Sequence, residues 1–124
     1  MLGGTKLVAF ISTRDLALAK PFYREVLGLR LLSEDSFALV FDAYGIMLRV
    51  TKVSELTPQR FTVLGWGVPD IAPAVADLEA RGAQFERYAG MDQDEHAIWT
   101  APSGAKVAWF KDPDGNVLSV SQLT

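Results

Sequence analysis

Two aspartates 55 positions apart, Asp15 and Asp70, open the same pattern twice, and this duplication constrains the fold of the 124-residue chain more than any other feature. Each follows a short run rich in β-branched and aromatic residues, positions 6–12 and 61–68, and each precedes a segment of helical period closed by a glycine, Gly28 or Gly82. At the same spacing Val8 falls on Val63, Leu16 on Ile71, Ala17 on Ala72 and Ala19 on Ala74. Self-similarity at a fixed spacing marks a repeated supersecondary unit, here one strand, one N-cap and one helix per copy.

In the first copy, Leu16, Ala19, Phe22, Tyr23, Val26 and Leu27 recur at intervals of three and four, the spacing of one helix face. Pro21 lies beyond the first turn of that helix, so an irregular start or a cap nearer Leu18 is expected. Strand-like runs at 29–32, 36–41 and 46–50 follow, separated by Ser33–Glu34–Asp35 and by Asp42–Ala43–Tyr44–Gly45. The polar stretch 52–60 has neither period and joins the two copies. In the second copy Asp70 caps a helix to Arg81, and runs at 84–88, 97–101, 106–110 and 117–122 read as strands. Asp112–Pro113–Asp114–Gly115 supplies the turn before the last of them.

The chain is 49% hydrophobic, enough for a core, and it has no Cys, so neither disulfides nor thiolate metal ligands enter the argument. A net charge of −3 gives no basic field for nucleic acid or for acidic membranes. The apolar stretch 7–13 is far too short to span a bilayer, and Met1–Lys6 lacks the features of a secretory signal, so a cytoplasmic location is expected.

The tandem order β-α-β-β-β, together with Asp15–Leu16, Phe22–Tyr23, Val26–Leu27–Gly28–Leu29 and the late Asp112–Asn116 turn, resembles the vicinal oxygen chelate superfamily. This group includes glyoxalase I, bleomycin-resistance proteins, fosfomycin-resistance enzymes and extradiol dioxygenases. The resemblance covers almost the whole chain. It implies an α+β fold in which two tandem β-α-β-β-β modules, about 5–52 and 60–123, form a single domain with a cupped, open, barrel-like sheet and helices outside. It also implies a homodimer and a small-molecule partner.

Metal-dependent members place ligands in the first strand, the strand closing the first module, the strand opening the second and the last strand. The resemblance puts these positions at Val8, Arg49, Val63 and Ser119. Two valines and a guanidinium cannot bind a cation, and a neutral hydroxyl is a poor ligand for the divalent ions concerned. No metal and no other cofactor is therefore expected. The set expected to bind ligand is Val8, Phe10, Arg49, Val63 and Ser119, with Arg49 holding an anion or enolate if its strand register points it inward.

His96 is the only histidine and hence the one side chain with an ordinary pKa suited to proton transfer near neutrality. It follows Asp92, Asp94 and Glu95, which reads either as an exposed acidic loop or as a displaced catalytic or metal site. Trp66, Trp99 and Trp109 all fall in strand-like runs, where core packing is the default and a ligand wall the alternative. The expected function is a metal-free small-molecule binding protein for a mostly apolar or aromatic ligand with an anionic or carbonyl group. The alternative is a glyoxalase-like lyase or isomerase, or a dioxygenase-related enzyme, working through His96.

Overall fold

A computed structural model describes residues 1–124, which fall into two compact units, Met1–Thr57 and Pro58–Thr124. The boundary lies inside the polar connection at 52–60. Each unit is a four-stranded mixed sheet with a helical segment, the α+β arrangement of a tandem β-α-β-β-β chain.

In the first unit, β1 (Val8–Thr13) leads to α1 (Leu16–Pro21), and β2 (Arg30–Glu34), β3 (Ala38–Ala43) and β4 (Ile46–Lys52) follow. The sheet order is β1-β4-β3-β2, with β1 parallel to β4 and the other pairs antiparallel. Asp15 is the helix cap, its Oδ1 accepting from the Ala17 N–H at 2.9 Å, so the start is regular and no cap lies nearer Leu18. The irregularity comes after Pro21 instead. Phe22–Val26 form a π-helical turn in which the Leu27 N–H donates to the Phe22 carbonyl five residues back. Pro21 has no N–H to continue the α-ladder, and the wider turn re-pairs the backbone beyond it.

That turn places Tyr23 in the core, fully buried, with its ring 5.2 Å from Phe22 and 6.0 Å from Phe41. Alternation along the strands follows from the two-residue side-chain period. Ile11, Leu39, Phe41, Leu48 and Val50 are buried on the helix-facing side. The β3–β4 hairpin turns through Tyr44 and Gly45 alone, both with positive φ (53° and 89°), the conformation of a type I′ turn.

In the second unit, β5 (Thr62–Gly67) precedes α2 (Ile71–Ala80), and β6 (Trp99–Thr100), β7 (Lys106–Lys111) and β8 (Val117–Gln122) complete a sheet of order β5-β8-β7-β6. Asp70 occupies the N-cap position without a side-chain hydrogen bond. The first helical amide, that of Ile71, donates instead to Gln122 Oε1 at 3.0 Å, tying α2 to the end of β8. Residues 84–88 are not a strand: their ladder is one bridge, Phe85 to Phe110, and the run at 97–101 shrinks to two residues. Helix side chains Ile71 and Val75 are buried with Ala108, Phe110, Leu118 and Val120. No helix is long and apolar enough to cross a membrane.

The Asp112–Asn116 turn is held by the Asp112 carboxylate. Asp112 Oδ1 accepts from the Asp114 and Asn116 N–H groups at 3.0 and 2.9 Å, and its Oδ2 accepts from Asn116 Nδ2 at 2.8 Å. Gly115 takes φ 89°, and a Cβ there would stand 3.3 Å from Pro58 Cγ, so glycine serves both the turn and the approach of Pro58.

Candidate functional site

In each unit the helix packs on one face of the sheet, and the other face, called open below, carries no helix, although Ala38 and Val40 on β3 and Val117 and Ser119 on β8 are buried there. On the first sheet the Cα partners of Arg49 are Phe10 on β1 and Val40 on β3, and partners across a ladder share a face. Val8 pairs with Met47 and Ser12 with Thr51 on the same side. The structure therefore brings Val8, Phe10 and Arg49 together on the open face, as the alternation around buried Leu48 and Val50 requires. Phe10 is 63% exposed, Val8 is exposed and Arg49 is half-buried. Arg49 forms no ion pair. Its charge acts on Asp35, whose carboxyl pKa is lowered chiefly by the N–H groups of Phe37 and then Ala38, with Arg49 adding a smaller pull against slight burial.

On the second sheet Ser119 is buried (7% exposed) with Cα partners Gly65 on β5 and Trp109 on β7. A Cβ at position 65 would lie 2.7 Å from Ser119 Oγ, so the glycine leaves room for that hydroxyl. Val63 is exposed at a bulge: Thr62 pairs with Val117 and Leu64 with Leu118, which leaves Val63 without a partner. It is thus the one position of the expected set outside a regular ladder.

The indoles divide between the faces. Trp66 pairs with Val120 on the helix-facing side. Trp99 and Trp109 lie on the open side, half-buried, with ring centroids 6.1 Å apart, and Tyr88 meets Trp109 edge-on at 5.7 Å. Trp109 Nε1 donates to Thr62 Oγ1 at 3.1 Å. Core packing, the default for all three tryptophans, is therefore corrected for Trp99 and Trp109, because no helix covers their side of the sheet. Their common face was legible in the alternation Trp109 against buried Ala108 and Phe110.

The four positions at which metal-dependent relatives carry ligands offer two aliphatic side chains, one hydroxyl and one permanent cation. That donor set does not fit a divalent metal. No three His, Asp or Glu side chains converge anywhere in a way that could hold one.

His96 stands away from the sheets in an irregular loop, its side chain 55% exposed, with Nε2 3.7 Å from Glu95 Oε1. It borders a shallow recess with Glu79, Gln84, Arg87 and Glu95. Asp94 organises this loop, its Oδ1 accepting from the His96 N–H at 2.8 Å and the Ile98 N–H at 2.9 Å. Burial alone would raise the Asp94 pKa, but those two amides, with the charges of His96 and Arg87, bring it below the ordinary value. The acidic run thus holds a loop together, and His96 has no carboxylate oriented on a ring nitrogen at hydrogen-bond distance.

Comparison with known proteins gives this geometry its context. Residues 7–120 match the family described as the Glyoxalase/Bleomycin resistance protein/Dioxygenase superfamily. No curated protein matches the chain by sequence. Among solved structures, the glyoxalase family protein from Enterococcus faecalis is 21% identical with a TM-score of 0.74, covering 98% of this chain and 100% of its own. The fosfomycin resistance protein FosX from Listeria monocytogenes has a TM-score of 0.76 at 11% identity, over 98% and 94% of the two chains. Lactoylglutathione lyase from Agrobacterium tumefaciens has a TM-score of 0.70 at 17% identity, over 96% and 93%. At such identities the structures speak to the fold, whereas the family match spans nearly the whole chain: the protein belongs to the glyoxalase/bleomycin resistance/dioxygenase superfamily, whose fold is that of the vicinal oxygen chelate proteins.

Proposed function

We propose that this chain is a cytoplasmic, metal-free small-molecule binding protein of the glyoxalase/bleomycin-resistance type. Its ligand is mostly apolar or aromatic and carries one anionic or carbonyl group. The observation that carries the reading is Arg49: a half-buried guanidinium on the sheet face away from the helix, between exposed Phe10 and buried Val40, with no carboxylate at ion-pair distance. Val8 and Phe10 on that face, and Val63, Ser119, Trp99 and Trp109 in the second unit, offer apolar and stacking surface with one hydroxyl. On the first unit's face this supports binding by contact and charge, because a guanidinium fork holds a carboxylate at two points while the Phe10 ring offers apolar surface beside it. The loss of metal donors at Val8, Arg49, Val63 and Ser119 supports affinity without Lewis-acid chemistry. Exposed Leu7, Phe10 and Phe37 in the first unit, and Phe61 in the second, support a homodimer.

The test is a thermal-shift screen of aryl and alkyl carboxylates against their neutral amides, followed by titration calorimetry of the hits. Arg49→Met should weaken a carboxylate ligand at least tenfold, the equivalent of about 1.4 kcal/mol, and leave its amide nearly unchanged. A ligand-bound structure with Val8, Phe10, Arg49, Val63 and Ser119 all facing away from the ligand would overturn the assignment. Loss of binding on His96→Ala, with Arg49→Met silent, would move the site to the loop at 92–98 and favour the enzyme alternative.

A further inference from the structure

The second unit carries a cavity of about 520 Å³ that shares no residue with the set above. Its volume falls in the range of small-molecule sites. Two segments build it. Pro58–Gln59–Arg60 is laid against the β7–β8 turn, where Gly115 admits the Pro58 ring, and Lys111 and Val117 face each other as Cα partners at the end of the ladder. Tyr88 also lines it.

The position of Tyr88 is set by its neighbours. Its N–H donates to Gln93 Oε1 at 2.8 Å, and Gln93 Nε2 in turn donates to the carbonyls of Glu86 and Ala97 at 2.9 and 2.8 Å. Its ring rests edge-on against Trp109. Burial, with the nearby Glu86 charge, raises the phenol pKa against a smaller opposing effect of Lys111, so the hydroxyl stays a hydrogen-bond donor through neutral and mildly alkaline pH.

The charge at the cavity runs against that of the chain. Arg60 and Lys111 both border it, and only Lys111 is paired, at 3.1 Å from Glu86 Oε1. Arg60 forms no ion pair. One positive charge is therefore left over beside a planar ring, a proline and a valine, on a protein of net charge −3. The Glu86 carboxylate disfavours a multiply charged anion, which leaves a monoanion on an apolar or planar body as the best complement.

We propose that this cavity is a second ligand site, which takes a small ring-bearing carboxylate with the anion at Arg60 and the ring between Tyr88, Pro58 and Val117. It does not depend on whether the open face of Arg49 binds anything. Titration of ¹⁵N-labelled protein with benzoate, and in parallel with benzamide, followed by amide chemical shifts, reads the site directly. Benzoate should shift the amides of Arg60, Tyr88, Lys111 and Val117 saturably, and benzamide should bind at least tenfold more weakly. Arg60→Gln should weaken benzoate at least tenfold. Lys106→Gln removes a like charge at the far end of β7, about 17 Å from Lys111, and should change the affinity less than twofold. Equal affinity for benzoate and benzamide, an unaffected Arg60→Gln variant, an equal effect of Lys106→Gln, or shifts confined to residues around Phe10 and Arg49 would each overturn the proposal.

Discussion

Replacing Asp112 by Ala removes at least three hydrogen bonds at once, those from the Asp114 N–H, the Asn116 N–H and Asn116 Nδ2, all in a buried turn. A net hydrogen bond contributes about 1 kcal/mol, more to a charged acceptor, and a buried donor left unpaired costs about as much again. Water entering the space left by the carboxylate would satisfy part of this, so a total of about 3 kcal/mol is expected. With a melting entropy of roughly 2.1 cal/mol/K per residue over a chain of this length, that corresponds to a fall in Tm of about 12 °C. Urea unfolding followed by tryptophan fluorescence and calorimetric melting would measure it. Asp112→Asn keeps an acceptor for the two backbone amides but sets one NH₂ group against another at Asn116, so it should lose about half as much. If Asp112→Ala costs less than about 1 kcal/mol, or if the Asn variant is the worse of the two, the turn is not held by this carboxylate and the reasoning fails.

Two further outcomes follow from the local geometry. Tyr44 is fully exposed at a φ of 53°, a conformation Asn tolerates far better, so Tyr44→Asn should stabilise the protein by about 0.5–1 kcal/mol in urea unfolding; no gain would mean that the hairpin turn is not strained. The Asp94 carboxyl is held below its ordinary pKa of 3.8, so its contribution to the loop is complete above that value and is lost only as pH falls through the lowered one. An NMR pH titration should place its midpoint below 3.8, with protection of the His96 and Ile98 amides lost in step. A midpoint at or above that value would contradict the assignment.

The apolar flanks Leu48 and Val50 suggest a place for Arg49, but a one-residue shift would turn it to the other face, so its direction was not legible until the β1–β4 and β3–β4 ladders paired it with Phe10 and Val40. The last strand, Val117–Gln122, was legible, since the preceding Asp-Pro-Asp-Gly turn fixes where it begins. Residues 84–88 misled because Phe85 and Tyr88 look like a strand, whereas the Gln93 side chain takes up the hydrogen bonds that a neighbouring strand would have made. The π-helical turn after Pro21 leaves no mark in the apolar period, which counts positions along the chain and not the width of a turn. Val63 is the counterpart of Val8 at the 55-residue spacing, and a fixed spacing cannot register the bulge at that residue. The cavity between Arg60, Tyr88 and Lys111 was beyond reach because its residues come from separate segments of the second unit, brought together only by the seating of Pro58 on Gly115.

The central claim is that this member of the superfamily binds its ligand without the family's metal. The most direct measurement is the metal content of tag-free protein purified without chelator, repeated after incubation with nickel, manganese, iron and zinc and removal of the excess. Val8, Arg49, Val63 and Ser119 predict metal far below one equivalent in every case, with no change in Tm on addition of any of the four ions. One equivalent retained through gel filtration, together with a raised Tm, would contradict the account and require a metal site built from other donors.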